Sequence, residues 1–416
     1  MGEATADVSE VHIDRSWHWT ASSFLALCAA TAGLYATRGW HWLGVPPIGP
    51  DRPPFSDAHA QLMAADACLA GAGSWIERVC FLPSIAVLPH AQSYEPWLLF
   101  SRLGLAHEHY VAIGWIMAVV FYLAICLLFR PETAREAGVL VVLALSPAVQ
   151  LAVERANFDL LMATILIASG WLLARRRLAA SVLACALLGL GTALKIYSGL
   201  STLFAWLATR HPDRRIVAIV SACACLLAIA VLGPANIVVL GEGAPEGATR
   251  FSTGAHLTFD RYGPIGGSLV VAAAFALCVR ASRSIWTHGP SIERIGALAP
   301  QAAVFTISWL SAVPLFLLKD SYDYRLVLWL PMLALAMRLA NGGSGATHAL
   351  AKAILASFAF AAFVELACGI TGSAGPAWVE YMLVLGKHIG MWTLVFASSV
   401  LLVAVLRSNR QRFQNA

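Results

Sequence analysis

The chain has 416 residues, of which 59% are hydrophobic and 12% are charged, with a formal net charge of +5. Its mean hydropathy is +0.71. An ordinary soluble domain carries about 25% charged residues. The composition therefore excludes a typical soluble domain and indicates an integral membrane protein. The net charge reflects arginines in connecting loops rather than a surface for nucleic acid.

Apolar runs of the length that crosses a bilayer, roughly 17–25 residues, recur along the whole chain. They predict a polytopic all-α membrane protein, with residues 1–416 forming a single integral membrane domain. No cleavable signal peptide is evident, so the first run is expected to remain as a membrane anchor. The pattern predicts about twelve transmembrane helices, at 17–37, 109–129, 137–153, 159–174, 178–194, 196–209, 216–240, 264–280, 298–318, 326–338, 351–371 and 386–406.

Arginines between the predicted spans give the expected orientation. The blocks Arg175-Arg176-Arg177 and Arg214-Arg215 lie in short connections, where positive charge marks the cytoplasmic side. Both termini are then cytoplasmic, and the protein is expected in the inner (plasma) membrane. The loops 38–108 and 241–263 become extracytoplasmic, and every polar cluster that is not mainly basic emerges on that face.

The first long loop contains a short predicted amphipathic helix that begins near Ser56 and Asp57 and lies at the membrane interface. Two interpretations of Asp57 remain open. It either caps this helix or acts as a general base that accepts a proton from a hydroxyl group. His59 either assists or lines the loop. Further along the loop, 94–97 (Tyr-Glu-Pro-Trp) is typical of an interfacial aromatic belt.

The same loop holds two cysteines, Cys68 and Cys80. They can form a disulfide if the loop faces an oxidising compartment. The spacing of the two residues does not decide whether the disulfide forms.

The segment Glu154–Asp159 places three charges and an amide between two apolar runs. Each charged side chain within a bilayer costs about 2.5–3.5 kcal/mol by insertion scales, which favours a functional interpretation. One alternative is a salt-bridged helical turn, because Arg155 and Asp159 are four residues apart. The other is that Arg155 and Asn157 bind oxygen-rich groups, with Glu154 or Asp159 orienting them.

Two further clusters emerge on the same predicted face. Lys195 precedes Tyr197 between two apolar runs, where a lone lysine usually extends its charge to the interface. The cations Lys319 and Arg325 flank a second cluster, in which a guanidinium suits bidentate phosphate binding; a charge-neutralised helix hairpin is the alternative. The residues between them are Tyr322, Asp323 and Tyr324. Nucleotide-binding glycine motifs and His/Cys metal spacings are absent from the sequence, so neither a cofactor nor a metal is expected.

Together these motifs resemble the GT-C superfamily of membrane glycosyltransferases, over roughly residues 50–335. The resemblance rests on the outer-loop Asp57, the segments 154–161 and 193–197, and Tyr322-Asp323-Tyr324-Arg325. The most similar group is the bacterial polyprenol-phosphate-mannose-dependent mannosyltransferase-like family. One departure is Ser198, where that family usually has proline.

The resemblance implies an inverting transfer of one sugar from a polyprenyl-phosphate donor to an extracytoplasmic glycan or glycolipid of the cell envelope. It implies that Asp57 is the catalytic base and that Lys195 and Arg325 hold the donor phosphate. Two other classes compete: a transporter or lipid-linked sugar flippase, and a non-catalytic partner in envelope polysaccharide assembly. A transporter is expected to show broken helices in matching halves, and no convincing internal repeat is visible.

Overall fold

The computed structural model describes residues 4–45, 53–70, 103–105, 107–232, 252–288, 295, 297–318, 321–342, 346–371 and 376–414. Over these residues the protein is almost entirely helical, which confirms the predicted all-α class. The helices are α1 (Ala4–Thr37), α2 (Ser56–Ala70), α3 (Tyr110–Phe129), α4 (Ala134–Ala144), α5 (Pro147–Arg155), α6 (Asp159–Leu173), α7 (Leu178–Leu194), α8 (Gly199–Leu203), α9 (Arg214–Leu232), α10 (Ala255–His288), α11 (Ala299–Leu318), α12 (Leu333–Gly342), α13 (Ala346–Thr371) and α14 (Ala377–Gln414). Short 3₁₀ turns occupy Gly39–Leu43, His107–His109, Ile196–Ser198, Ala205–Leu207, Asp323–Leu328 and Leu330–Met332.

Two strands of two residues each, β1 (Ser252–Thr253) and β2 (Ser321–Tyr322), form an antiparallel pair. Ser252 lies opposite Tyr322 and Thr253 opposite Ser321. This pair joins the chain before α10 to the chain before the 3₁₀ turn Asp323–Leu328. The strand pair therefore holds in place the start of the segment that carries Arg325.

Six of the described helices are long and apolar enough to cross a membrane, or seven if the bent pair α4 and α5 counts as one span. The six spans are Ser16–Thr37, His107–Phe129, Ala255–Arg280, Ala299–Leu318, Thr347–Cys368 and Trp378–Gln411. Helices α6 and α7 are apolar but shorter. The predicted number of twelve spans is not confirmed. The described residues contain six or seven helices that could span a membrane, which is in keeping with a membrane protein.

Three of the predicted spans are not continuous helices. Residues 137–153 are divided between α4 and α5. Residues 196–209 form α8 between two 3₁₀ turns, and residues 326–338 begin as 3₁₀ turns before α12 starts at Leu333. The side chains from Leu326 to Leu330 are each at most 3% exposed. A segment that is apolar on all sides can be buried within protein rather than in lipid, and this segment lies in the main core.

The bent pair arises at the boundary between α4 and α5. The two helices meet at an angle of 58°, and Pro147 is at the first position of α5. Proline suits this position because its fixed φ matches a helix and its missing N–H would be unpaired there anyway. The turn Asp323–Leu328 and α13 both pack against α5.

Outside the core, several helices present large apolar side chains to the surroundings. Exposed apolar surface on this scale is unusual for a soluble monomer and is expected where helices face lipid. Examples on α3, α9 and α10 are Ile116, Leu226, Leu227, Ile265 and Leu269, each more than 60% exposed.

Part of the predicted loop 241–263 is also helical. Helix α10 already begins at Ala255, and its axis breaks at Gly263, where φ is 68°, just before Pro264. The positive φ is accessible to glycine without the steric cost that a Cβ would bring. Residues 241–251 lie outside the described residues.

Candidate functional site

The site is built on a sharp break between α5 and α6. Ala156 ends α5 with φ 48° and ψ 49°, in the left-handed region that residues other than glycine seldom adopt. The backbone N–H of Asn157 then bonds to the carbonyl oxygen of Ala152 at 2.9 Å. Because α6 begins only at Asp159, Arg155 and Asp159 belong to different helices. The single salt-bridged turn considered from the sequence is therefore wrong.

Asn157 connects three parts of the chain through its side-chain amide. Its Nδ2 donates to Asp57 Oδ2 at 2.7 Å. Its Oδ1 accepts from the backbone N–H of Asp159 at 2.9 Å and from Lys195 Nζ at 3.2 Å. Asn157 is 4% exposed, so these bonds are sheltered from water. They bring the start of α2, the start of α6 and the end of α7 together.

Asp159 is the charge at the centre of the site. Its side chain is fully buried, and its Oδ1 accepts from Lys195 Nζ at 2.7 Å. The Tyr197 hydroxyl donates to the same oxygen. On the other carboxylate oxygen, Arg325 Nε lies 3.9 Å from Oδ2. A buried carboxylate requires such partners, because an isolated buried charge is very costly.

Phe55 fixes the start of α2 against this break. Its backbone N–H donates to the carbonyl of Glu154 at 2.6 Å. Its ring is fully buried, 5.5 Å from the Tyr35 ring and 5.9 Å from the Trp115 ring, measured between centroids. Two residues later, Asp57 is then within reach of Asn157. The packing of one aromatic side chain thus positions the carboxylate.

A substitution at Gly114 tests this positioning. A Cβ at Gly114 in α3 would lie 2.4 Å from Phe55 Cγ and 2.5 Å from Cδ2, so Gly114→Ala forces the ring to move. We expect a loss of about 1–3 kcal/mol in stability, the usual cost of overpacking. The matched control is Gly138→Ala in α4, where a Cβ meets nothing within 4 Å and alanine should be neutral or slightly stabilising. The thermal unfolding midpoint of each purified variant measures the effect, and equal midpoints would contradict it.

His59 lies apart from the hydrogen bonds around Asn157. Its ring packs against Tyr110, with centroids 4.6 Å apart, and against His107 at 6.1 Å. His107 in turn bonds through Nδ1 to Asp66 Oδ2 at 2.9 Å. His59 therefore helps α2 pack on the 3₁₀ turn His107–His109 and on α3.

This packing predicts a dependence of stability on pH. Partial burial, and then the nearby His107, lower the pKa of His59 from its ordinary value of 6.5. The folded protein then binds a proton at His59 less tightly than the unfolded chain, so the folded state loses stability as pH falls below about 6.5. We expect the thermal midpoint to drop more between pH 7.5 and 5.0 in the wild type than in His59→Asn. The same drop in both proteins would contradict this role of His59.

The other predicted site residues are placed less completely. Glu154 lies in the last turn of α5 beside Arg155, and its Oε2 is buried without a hydrogen-bond partner among the described residues. For Tyr322, Asp323 and Tyr324 the structure gives the backbone, which runs from β2 into the 3₁₀ turn that carries Arg325. Lys319, Cys80 and 94–97 lie outside the described residues. The disulfide between Cys68 and Cys80 therefore stays an open prediction.

A second buried polar cluster was not predicted from the sequence. Lys387 Nζ in α14 lies 3.5 Å from Glu365 Oε1 in α13, with both side chains at most 4% exposed. Beside them, His388 Nδ1 and Trp392 Nε1 both bond to Thr258 Oγ1, at 3.0 and 3.1 Å. The available signal was an ionisable residue in the interior of each of two largely apolar spans, Glu365 in one and Lys387 in the other, which is itself a functional indication.

Among the described residues, no group of three or more His, Cys, Asp or Glu side chains could hold a metal ion. The fold and the site together define a helical membrane protein with a buried, hydrogen-bonded ion-pair network at one end of its helices. Comparisons of the chain with protein-family models, with curated proteins and with solved structures found no match.

Proposed function

We propose that the protein is a membrane glycosyltransferase of the GT-C type. It moves one sugar, with inversion, from a polyprenyl-phosphate donor to a glycan or glycolipid acceptor. The observation that supports this most is the bond network of Asn157, which joins the Asp57 carboxylate to Lys195. Through Asp159, the same network reaches Arg325. A carboxylate and two cations at one end of an apolar bundle suit a reaction with a lipid-bound anion.

In this mechanism, Asp57 takes the proton of the acceptor hydroxyl as its oxygen attacks the anomeric carbon of the donor sugar. The new bond joins the acceptor oxygen to that carbon, and the bond from the carbon to the phosphate oxygen breaks. Polyprenyl phosphate leaves with the electron pair. Cations beside the leaving oxygen stabilise the negative charge that develops on it.

The two cations have different roles in this proposal. Lys195 is held by Asp159 at 2.7 Å, and its side chain is 4% exposed. Arg325 is 3.9 Å from the same carboxylate, and its side chain is 14% exposed. Arg325 is therefore the cation that first meets the donor phosphate. Lys195 orients Asp159 and Asn157, and its charge adds to the positive potential that Arg325 presents to the phosphate.

The proposed orientation places this end of the helices outside the cytoplasm of a bacterial cell, with both termini inside. It rests on the arginine-rich connections, such as Arg175-Arg176-Arg177, which follow the end of α6 that is remote from Asp159. Lipid-linked donors suit an outward-facing site, because nucleotide sugars are not needed there.

Binding of the donor tests the role of Arg325. In Arg325→Ala we expect the affinity for a polyprenyl-phosphate sugar to fall by about tenfold or more, since a charge-assisted hydrogen bond contributes roughly 1.5–3 kcal/mol. The matched control is Arg177→Ala, an exposed arginine beyond the other end of α6. Binding is measured by titrating the purified full chain in lipid nanodiscs. Unchanged donor affinity in Arg325→Ala would exclude Arg325 from the phosphate site.

The alternative function is a transporter or flippase for lipid-linked sugars. The buried pair of Glu365 and Lys387 favours it, because ionisable residues within spanning helices often line a substrate path. An assay with donor and acceptor in sealed vesicles separates the two functions. Glycosidic product without net movement of donor lipid supports the transferase, and movement without product supports the flippase.

A further inference from the structure

A cavity of about 1050 Å³ opens at the end of the bundle opposite Asp57 and Asn157. Its walls come from Ser16 of α1, the connection between α3 and α4 with the first turn of α4, the start of α11 and the end of α12. None of the residues proposed for sugar transfer lines it. The polar and charged lining residues are Ser16, Arg130, Glu132, Thr133, Arg135, Glu136, Gln301, Arg338 and Asn341.

One side of the cavity is a fixed scaffold. Arg338 donates to the backbone carbonyl of Phe129, the last residue of α3, and to that of Arg130, the residue after it. Its guanidinium also lies 2.8 Å from Glu132 and 3.6 Å from Glu136. Both carboxylates of the cavity are therefore paired with Arg338.

The other two arginines of the cavity, Arg130 and Arg135, form no ion pair with these glutamates among the described residues. Arg130 donates through Nε to Ser16 Oγ at 3.3 Å, and its guanidinium lies 5.3 Å from the centre of the Trp17 ring. Arg135 is exposed, and the described residues give it no ion pair or hydrogen bond. Three arginines and two glutamates line the cavity, so its charged side chains leave an excess of one positive charge. A cavity of this kind suits an anion.

The position of the cavity indicates which anion. Three membrane spans terminate at it: Ser16–Thr37 begins, His107–Phe129 ends and Ala299–Leu318 begins beside its lining residues. Ends of apolar spans lie at the level of the lipid headgroups. The half-exposed Trp17 is also typical of that level. The commonest anion there is phosphate, and basic pockets between membrane helices bind phosphate headgroups.

We propose that this cavity is a phosphate-binding site for the headgroup of an anionic phospholipid, held by Arg130 and Arg135 between α1 and the α3–α4 connection. Arginine suits this role because its planar fork matches two phosphate oxygens. The volume exceeds that of a phosphate ion and admits a glycerophosphate headgroup. The proposal is independent of sugar transfer, because the two sites share no residue.

The test uses the purified full chain in detergent, titrated with dioctanoyl phosphatidylglycerol, with dioctanoylglycerol and with inorganic phosphate, and bound ligand is counted by native mass spectrometry. We expect phosphatidylglycerol to bind and dioctanoylglycerol, which lacks phosphate, to bind at least tenfold more weakly. The double variant Arg130→Gln/Arg135→Gln should weaken phosphatidylglycerol binding by about tenfold or more. Arg135→Gln alone should also weaken phosphatidylglycerol binding. Because Arg135 is exposed, this variant should leave the packing of the protein unchanged.

The matched control is Arg175→Gln/Arg176→Gln, which removes two exposed charges after α6 at the same end of the bundle but outside the cavity. Its affinity for phosphatidylglycerol should change by less than about twofold. Equal weakening in both double variants would show general surface attraction and overturn the proposal, as would equal binding of dioctanoylglycerol. If inorganic phosphate displaces the lipid, the site is supported and phosphate alone is enough for binding. If it does not, the site is supported and binding requires the intact headgroup.

Discussion

Replacing Asp57 with asparagine should lower the rate of sugar transfer by about 10²–10⁴-fold, which is the usual contribution of a general base. The substitution preserves shape, and the new amide oxygen can still accept the 2.7 Å hydrogen bond from Asn157. The fold should therefore survive while the proton acceptor is lost. The measurement is transfer of a labelled sugar from a polyprenyl-phosphate donor by purified protein in lipid.

The control for this prediction is Asp260→Asn, which removes an exposed carboxylate in the first turns of α10. Its rate should stay within about twofold of the wild type. The thermal unfolding midpoints of both variants should match that of the wild type. Matching midpoints distinguish a loss of catalysis from a loss of stability. Full activity in Asp57→Asn would remove Asp57 from the role of base, whatever happens to donor binding.

Replacing Asp159 with alanine should lower the free energy of unfolding by about 3–5 kcal/mol, because it leaves the buried Lys195 ammonium without its carboxylate partner. Lys195 Nζ, with a side chain only 4% exposed, would lose its 2.7 Å contact with the carboxylate. The measurement is the thermal midpoint or the denaturant dependence of unfolding in a fixed detergent. The comparison variant is Glu132→Ala, whose carboxylate is half-exposed beside Arg338 and should cost at most about 1 kcal/mol.

A double variant distinguishes an ion-pair effect from a cavity effect. Asp159→Ala combined with Lys195→Met removes both charges, so no buried ammonium is left without a carboxylate. We expect the double variant to be destabilised by clearly less than the sum of the two single variants, because residues in one network are not additive. Additive losses would show that the two side chains contribute by packing alone.

The apolar pattern predicted the helices well where length and hydropathy decide. The predicted runs 159–174 and 178–194 match α6 and α7 within one residue. The pattern failed at 326–338, because hydropathy does not distinguish a side chain buried in protein from one facing lipid. Leu326–Leu330 is as apolar as a membrane span yet lies in the core as 3₁₀ turns.

The site was partly predictable for a different reason. Costly charges near a bilayer mark positions such as Asp159 and Lys195 without any structure. Their partners were not predictable, because the Asp57–Asn157 bond joins residues 100 positions apart. That bond depends on the left-handed conformation of Ala156, and an alanine gives no sequence signal for it, whereas a glycine would have done so.

The amide of Asn157 has a fixed polarity. Its nitrogen faces a carboxylate at Asp57 and its oxygen faces an ammonium at Lys195, so exchanging the two atoms would place like partial charges together at both ends. The Asn157 side-chain amide therefore has only one orientation in which it hydrogen-bonds to both the Asp57 carboxylate and the Lys195 ammonium.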